Sequence, residues 1–398
     1  MKTLRELEVT MHRIDGAGNV NGTWVAEDAG TNRPPTEITA PFMNAIQEEV
    51  ASFIEWCGLV LNKADNTQFR QAIVGLLQAA TGSAGSTSYR NKLINSGAQV
   101  VIQATSPSLS TSPQYGPVEM IAGWASGGAI TAGTLVQDTA APVGRSGKAV
   151  RFQGCTLTGA GQLSWRYRME ATDAANLKNQ TVTFQIKVRH TVGAAINYTV
   201  VLRTPTAADN FASVNAINSK TVAVASGTSQ LLTFTVALGD CSNGLEIGVD
   251  ATCGAVVAKD FWFTEWSLEE GATATAVEFR PIPIELVACQ RYYQADAFHC
   301  GGAPIASGSG SAAIAVNSTS LQGTKTLPVQ MRAGPSMTFK DMAGNSGAYT
   351  VYNGATIHNQ GMTSGGIGCS ASTIDMDATW GVYGGTWCRV NYILNARL

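Results

Sequence analysis

The chain has 398 residues, of which 44% are hydrophobic and only 14% charged, with 42 glycines and a formal net charge of -2. An average soluble protein is about 25% charged, so this surface is neutral and hydroxyl-rich and offers little long-range steering. The absence of a basic run argues against nucleic-acid binding, and no stretch reaches the ~20 apolar residues of a membrane-spanning helix. The opening MKTLRELEVTM alternates charged with apolar residues and reads as neither signal peptide nor anchor, so synthesis in the cytoplasm is expected.

Residues 1–82 hold the helical pattern. Thr39 suits an N-cap and Pro41 a first helical turn, where the missing N–H has no cost. Phe42, Ile46, Val50, Phe53 and Cys57 then recur at helical spacing, and Gly58 ends the run. A second helix starts near Asp65 or Asn66, with Phe69, Ile73, Leu76 and Leu77 as its stripe. Two such helices make a hairpin with too little core of its own, so its apolar faces are expected to be covered, most simply by other copies of the chain.

Residues 83–92 form a small-residue linker, and from there the chain reads as β. TVTFQIKVRH (181–190) alternates with Val182, Phe184, Ile186 and Val188 on one face. Segments 197–204, 229–238, 245–252 and 259–270 continue the pattern, separated by Gly, Asn and Asp turns. That predicts an antiparallel β-sandwich of jelly-roll type over 93–280. A Pro-rich hinge with a short helical stretch at 284–294 occupies 281–300, and 301–398 reads as a smaller β domain. Its strands are placed near 311–317, 324–332, 335–340, 347–353 and 386–396. The fold class is therefore mainly β, with a short N-terminal helical region.

Eight scattered cysteines without a Cys-x-x-Cys pair read as reduced small hydrophobes, with Cys289–Cys300 and Cys369–Cys388 as the two conceivable bridges. The four histidines fit no zinc spacing, and no Walker loop, nucleophile elbow or His-Glu-x-x-His is present. Neither cofactor nor metal is expected. The Asp375-x-Asp377 pair reads as turn capping rather than a cation site. Glycan cleavage needs two carboxylates facing across a groove, and the β regions are poor in carboxylates, so no enzyme is expected.

Sugar binding asks less: aromatic faces for C–H stacking and polar partners for hydroxyls. Tyr349 and Tyr352 precede ATWGVYGGTW, which sets Trp380, Tyr383 and Trp387 among glycines near the end of the chain. These five are the candidate glycan contacts of the last domain, against the alternative that some of them plug its core. In the larger domain Trp165, beside Arg166, Tyr167 and Arg168, is a further candidate platform, although alternation allows its face to be interior. Trp124, after the apolar MIAG, and Trp262 and Trp266 read as core.

WSLEEGATATAVEFRPIPIELVACQRYYQ (266–294) closely resembles the junction in bacteriophage and prophage tail fibres. The matching residues are Leu268, Glu269, Gly271, Ala274–Thr275, Glu278 to Pro281, Glu285–Leu286 and Cys289 to Tyr293. LPVQMRAGPSMTF (327–339), and ITAPFMNAIQEEV (38–50) with LNKADNTQFRQAI (61–73), resemble further passages of the same receptor-binding proteins. The resemblance implies a homotrimeric virion fibre that docks on a phage tail or baseplate protein through its N-terminal part. It implies a jelly roll like that of carbohydrate-binding modules and, as partner, a host polysaccharide or lipopolysaccharide. Arg291 with its neighbouring tyrosines would then hold a junction. The departure is the final NYILNARL, where Arg397 stands in place of an acidic residue.

Overall fold

A computed structural model describes residues 24–81, 90–103, 105–301, 314–316, 320–352, 356–361, 364–379 and 387–398. The chain divides into two compact units, Met1–Thr87 and Ser88–Leu398.

In the first unit, helix α1 runs Ala40–Trp56 and helix α2 Gln68–Thr81. Thr39 caps α1 as its side chain predicts: in extended conformation, its Oγ1 accepts from the Phe42 N–H at 3.4 Å. Asp65 accepts the Thr67 N–H at 2.8 Å just before α2. Phe53 and Phe69 meet at 5.4 Å between ring centres, and Ile54 and Ala72 are buried. The rest of the stripe stays open: Ile46, Val50, Phe69, Ile73 and Leu76 are all exposed, Ile46 by 45% and Phe69 by 46%. Among the described residues no helix is long and apolar enough to cross a membrane.

The second unit is antiparallel β. Its larger lobe comprises β1 (Gln114–Tyr115), β2 (Ile121–Ser126), β3 (Ile130–Asp138), β4 (Ala149–Leu157) and β5 (Gln162–Met169). A single turn α3 (Ala171–Ala174) precedes β6 (Thr181–His190), β7 (Ile196–Ala207), β8 (Asn210–Val224), β9 (Gln230–Ala237), β10 (Leu245–Thr252) and β11 (Val256–Glu270). One sheet has the order β1-β2-β5-β10-β7-β8 and the other β3-β4-β11-β6-β9, and together they form the predicted sandwich. Alternation fills its core from both sides, and an irregularity between Thr264 and Ser267 in β11 keeps both Phe263 and Trp266 inside. Trp165 from one sheet lies nearly parallel to Phe263 of the other at 6.5 Å and meets Trp266 at 5.5 Å.

Helix α4 (Ile282–Gln290) then leads directly into β12 (Tyr293–Gly301). The helical stretch expected over 284–294 thus ends at Gln290, because Tyr293 pairs with Asn395 in a sheet. The smaller lobe adds β13 (Ile314–Val316), β14 (Ser320–Thr326), β15 (Ser336–Lys340), β16 (Ala348–Tyr352), β17 (Ile357–Gly361), β18 (Ser364–Cys369), β19 (Thr373–Thr379) and β20 (Trp387–Asn395). Its sheets are β12-β20-β16-β17, with β15 also on β20, and β13-β14-β19-β18.

The two lobes are bolted together. Cys289 and Tyr292 are buried in the sandwich core. Glu170, itself buried, accepts from Arg291 Nε and Nη2 and from the Tyr292 hydroxyl at 2.8–3.1 Å. Arg332 pairs with Asp209 at 2.9 Å. Arg397 reaches back to the fully buried Glu119 at 2.5 Å and covers the Tyr293 ring at 3.9 Å. The arginine that departs from the fibre pattern therefore closes an ion pair within its own chain, and Arg291 does the same.

Cys289 and Cys369 carry free thiols, so neither conceived bridge forms; Cys289 is packed in the sandwich and Cys369 donates to the Pro335 carbonyl. Asp375 accepts from Thr324 on the neighbouring strand at 2.7 Å, a cross-strand bond rather than a turn cap.

His190 supplies a stability test. It is fully buried between Phe261 and Tyr198, with Nε2 3.0 Å from the Val224 carbonyl. Burial holds its pKa below the ordinary 6.5. A depressed folded value means that its contribution is complete above pH 6.5 and is lost as pH falls through that depressed value. The urea midpoint is expected to drop between about pH 7.5 and about pH 5.5, and His190→Gln to flatten that drop. An equal drop in the variant would assign the effect to other groups.

Candidate functional site

In β5 the alternation that sends Leu163, Trp165, Tyr167 and Met169 inward sends Ser164, Arg166 and Arg168 outward. Register then selects their neighbours. Ser164 lies between Trp124 on β2 and Asp250 on β10, and Asp250 faces Thr199 on β7. One step along, Arg166 is beside Gly248, which faces Val201; beyond that, Arg168, Glu246 and Arg203 form a row.

Arg166 bonds both oxygens of Asp250, at 2.6 and 3.1 Å, and Ser164 donates to the same carboxylate at 2.7 Å. Glu246 receives Arg168 Nε at 3.0 Å and Arg203 Nη1 at 3.2 Å, with Arg166 Nε at 3.5 Å. The Arg166 guanidinium also lies 4.7 Å over the half-buried Trp124 ring. Gly248 makes this packing feasible: a Cβ there would sit 2.6 Å from Arg166 Nη1 and 2.8 Å from Arg203 Nη1. Bare backbone is the floor on which two guanidiniums lie flat. At one end, Arg168 Nη1 and the Tyr115 hydroxyl both donate to the Leu398 carbonyl, at 2.7 and 2.6 Å.

The residues expected to bind sugar are distributed differently. Trp165 is fully buried between the sheets, so it cannot be a platform: the pleat puts it inside and its arginine neighbours outside. Tyr349 is also buried, in the core of the smaller lobe with Val351 and Tyr392. Tyr352 is half-buried at the end of β16, in register with Trp387 on β20, which brings those two positions together on one sheet. Trp380 and Tyr383 lie outside the described residues, as does the Trp387 side chain. Trp124, read as core, is on the outer face. Trp262 is buried, but beneath Val143 and Ala149 on the outside of the other sheet, with its indole N–H on Asp138 at 2.7 Å. No group of three or more His, Cys, Asp or Glu able to hold a metal occurs among the described residues.

The second unit is thus a β-sandwich whose six-stranded sheet carries an ion-paired, tryptophan-edged outer platform. No protein-family model matches the chain, and no curated protein sequence matches it. Among solved structures it is similar to a family 4 carbohydrate-binding module, at 13% identity over 38% of this chain and 87% of that one, with a TM-score of 0.25. A family 61 module in complex with β-1,4-galactotriose matches at 10% identity over 46% of this chain and 99% of that one, TM-score 0.26. The enzymatically active domain of bacteriophage CBA120 tailspike protein 4 matches at 10% identity over 46% of this chain and 22% of that one, TM-score 0.29.

Removing one partner of a buried pair strands the other charge. Asp250→Ala is therefore expected to destabilise the second unit by about 3 kcal/mol in urea titration. Adding Arg166→Met should recover part of that loss; a double variant as unstable as the sum of the singles would show that the two residues do not act as a pair.

Proposed function

We propose that the chain is a phage or phage-like tail-fibre subunit that attaches through its N-terminal unit and holds a bacterial surface glycan without breaking it. The observation that carries this reading is the outer platform. Trp124 offers a ring for sugar C–H faces, and a rigid sheet fixes Thr199 in the same cross-strand row and Arg203 further along β7 as partners for hydroxyls. Preset polar groups on a sheet lose little entropy on binding. The open stripe of Ile46, Val50, Phe69, Ile73 and Leu76 supports oligomerisation, since monomers seldom leave such a row uncovered. The junction motif, with Arg291 and Tyr292 fastened to Glu170, supports the fibre reading and, with it, a homotrimer in the virion tail.

Binding without cleavage is favoured by the state of the platform carboxylates. Glu246 and Asp250 are both committed to arginines. They stand on the same face of one strand and clasp the same Arg166 guanidinium, whereas paired glycosidase carboxyls face each other across a groove.

Light scattering is expected to give three times the 41.6 kDa of one chain, and Val50→Asp to lower it. A monomeric wild type would remove the fibre reading. Trp124→Ala should weaken adsorption to host cells at least tenfold, about 1.4 kcal/mol, with molar mass intact. Loss in Trp387→Ala but not in Trp124→Ala would instead move the site to the Trp380–Trp387 segment. Shortening of the polysaccharide on incubation would replace the binder with a depolymerase.

A further inference from the structure

We infer that the platform selects glycans bearing an oxyanion, a carboxylate or a phosphate, with Arg203 as the residue that receives it; this rests on the glycan reading above. Three guanidiniums, Arg166, Arg168 and Arg203, share this face with two carboxylates, Glu246 and Asp250. Their satisfaction is unequal. Arg166 holds both oxygens of Asp250 and the Trp165 carbonyl, and it is almost completely enclosed, so an arriving ligand cannot reach its remaining Nε–H. Arg168 is divided between Glu246 and the Leu398 carbonyl.

Arg203 has the weakest share. Its Nη1 takes Glu246 at 3.2 Å, on an oxygen that Arg166 Nε also approaches. Its Nη2 stands 3.7 Å from Asp250, beyond a hydrogen bond. With 20% of its side chain exposed, it is the most accessible of the three guanidiniums. Over the bare Gly248 its charge also lies against that of Arg166. Burial, and then the Arg166 charge, hold the Arg203 pKa below its usual value. An oxyanion arriving from solvent would take the idle fork of donors and relieve this like-charge contact. A hydroxyl could do only the first.

Trp124 and Arg203 stand three strand spacings apart across the sheet from β2 to β7, about 14 Å, and four residues apart along it, about 13 Å, with the Arg166 guanidinium between their side chains. The ligand is therefore longer than one sugar ring, with one ring on the indole and the anionic substituent over Arg203.

The test uses the full chain on an array of bacterial polysaccharides. Each acidic polysaccharide is printed beside counterparts whose carboxyls have been reduced to alcohols or whose phosphates have been removed by hydrofluoric acid. Retention is expected on the acidic members and at least tenfold less on one treated counterpart; which treatment abolishes it identifies the oxyanion. Arg203→Gln should lower retention on the acidic members at least tenfold, and Arg203→Lys should retain part of it. If Arg203→Gln does not fold, the wild-type comparison of treated with untreated chains still decides. Equal retention on treated and untreated members overturns the inference and leaves the glycan reading standing. No retention on any polysaccharide, acidic or neutral, overturns both.

Discussion

A guanidinium taken out of water has to be given a carboxylate, and that constraint organises the second unit. Arg166 with Asp250 ties β5 to β10, Arg203 with Glu246 ties β7 to the same strand, Arg291 with Glu170 joins the lobes, and Arg397 with Glu119 fastens the end of the described chain. In a chain of only 26 basic and 28 acidic residues, these four pairs lie at the joints between strands and lobes. On the outer face of the six-stranded sheet three arginines share two carboxylates, so one positive charge there is left in excess.

Much of the fold was legible because period-two alternation is a local signal. Val182 to Val188 marked β6 to the residue, and the strand boundaries of β7, β9, β10 and β11 fell within a few positions of their expected places. The cap at Thr39 was equally local. Helix α4 was less so. Pro283 and Glu285 open it, yet Gln290 ends it only because Tyr293 is claimed by a β partner about a hundred residues away.

The site was legible only in halves. The outward pair Arg166 and Arg168 could be read from SWRYRM, and Glu246 and Asp250 stand on one face of LEIGVD. What joins them is a register between strands separated by 84 positions in the case of Arg166 and Asp250, which no local pattern encodes. Trp165 and Trp124 were exchanged for the same reason. An aromatic residue in an alternating strand is inside or outside according to which sheet face is covered, and that is settled by the other sheet. Gly248 gave no signal at all, since its importance is the space it leaves.

Glu170 has a mechanical implication. One of its oxygens holds three donors from the consecutive residues Arg291 and Tyr292, while Arg332 grips Asp209, which precedes β8 and accepts the backbone N–H of Ala171 at the start of α3. A pull transmitted through the smaller lobe loads these bonds side by side rather than one after another. They must fail together, so the joint yields abruptly at high load instead of unzipping at low load. Resistance of this kind is governed by the rate of rupture and not by equilibrium stability.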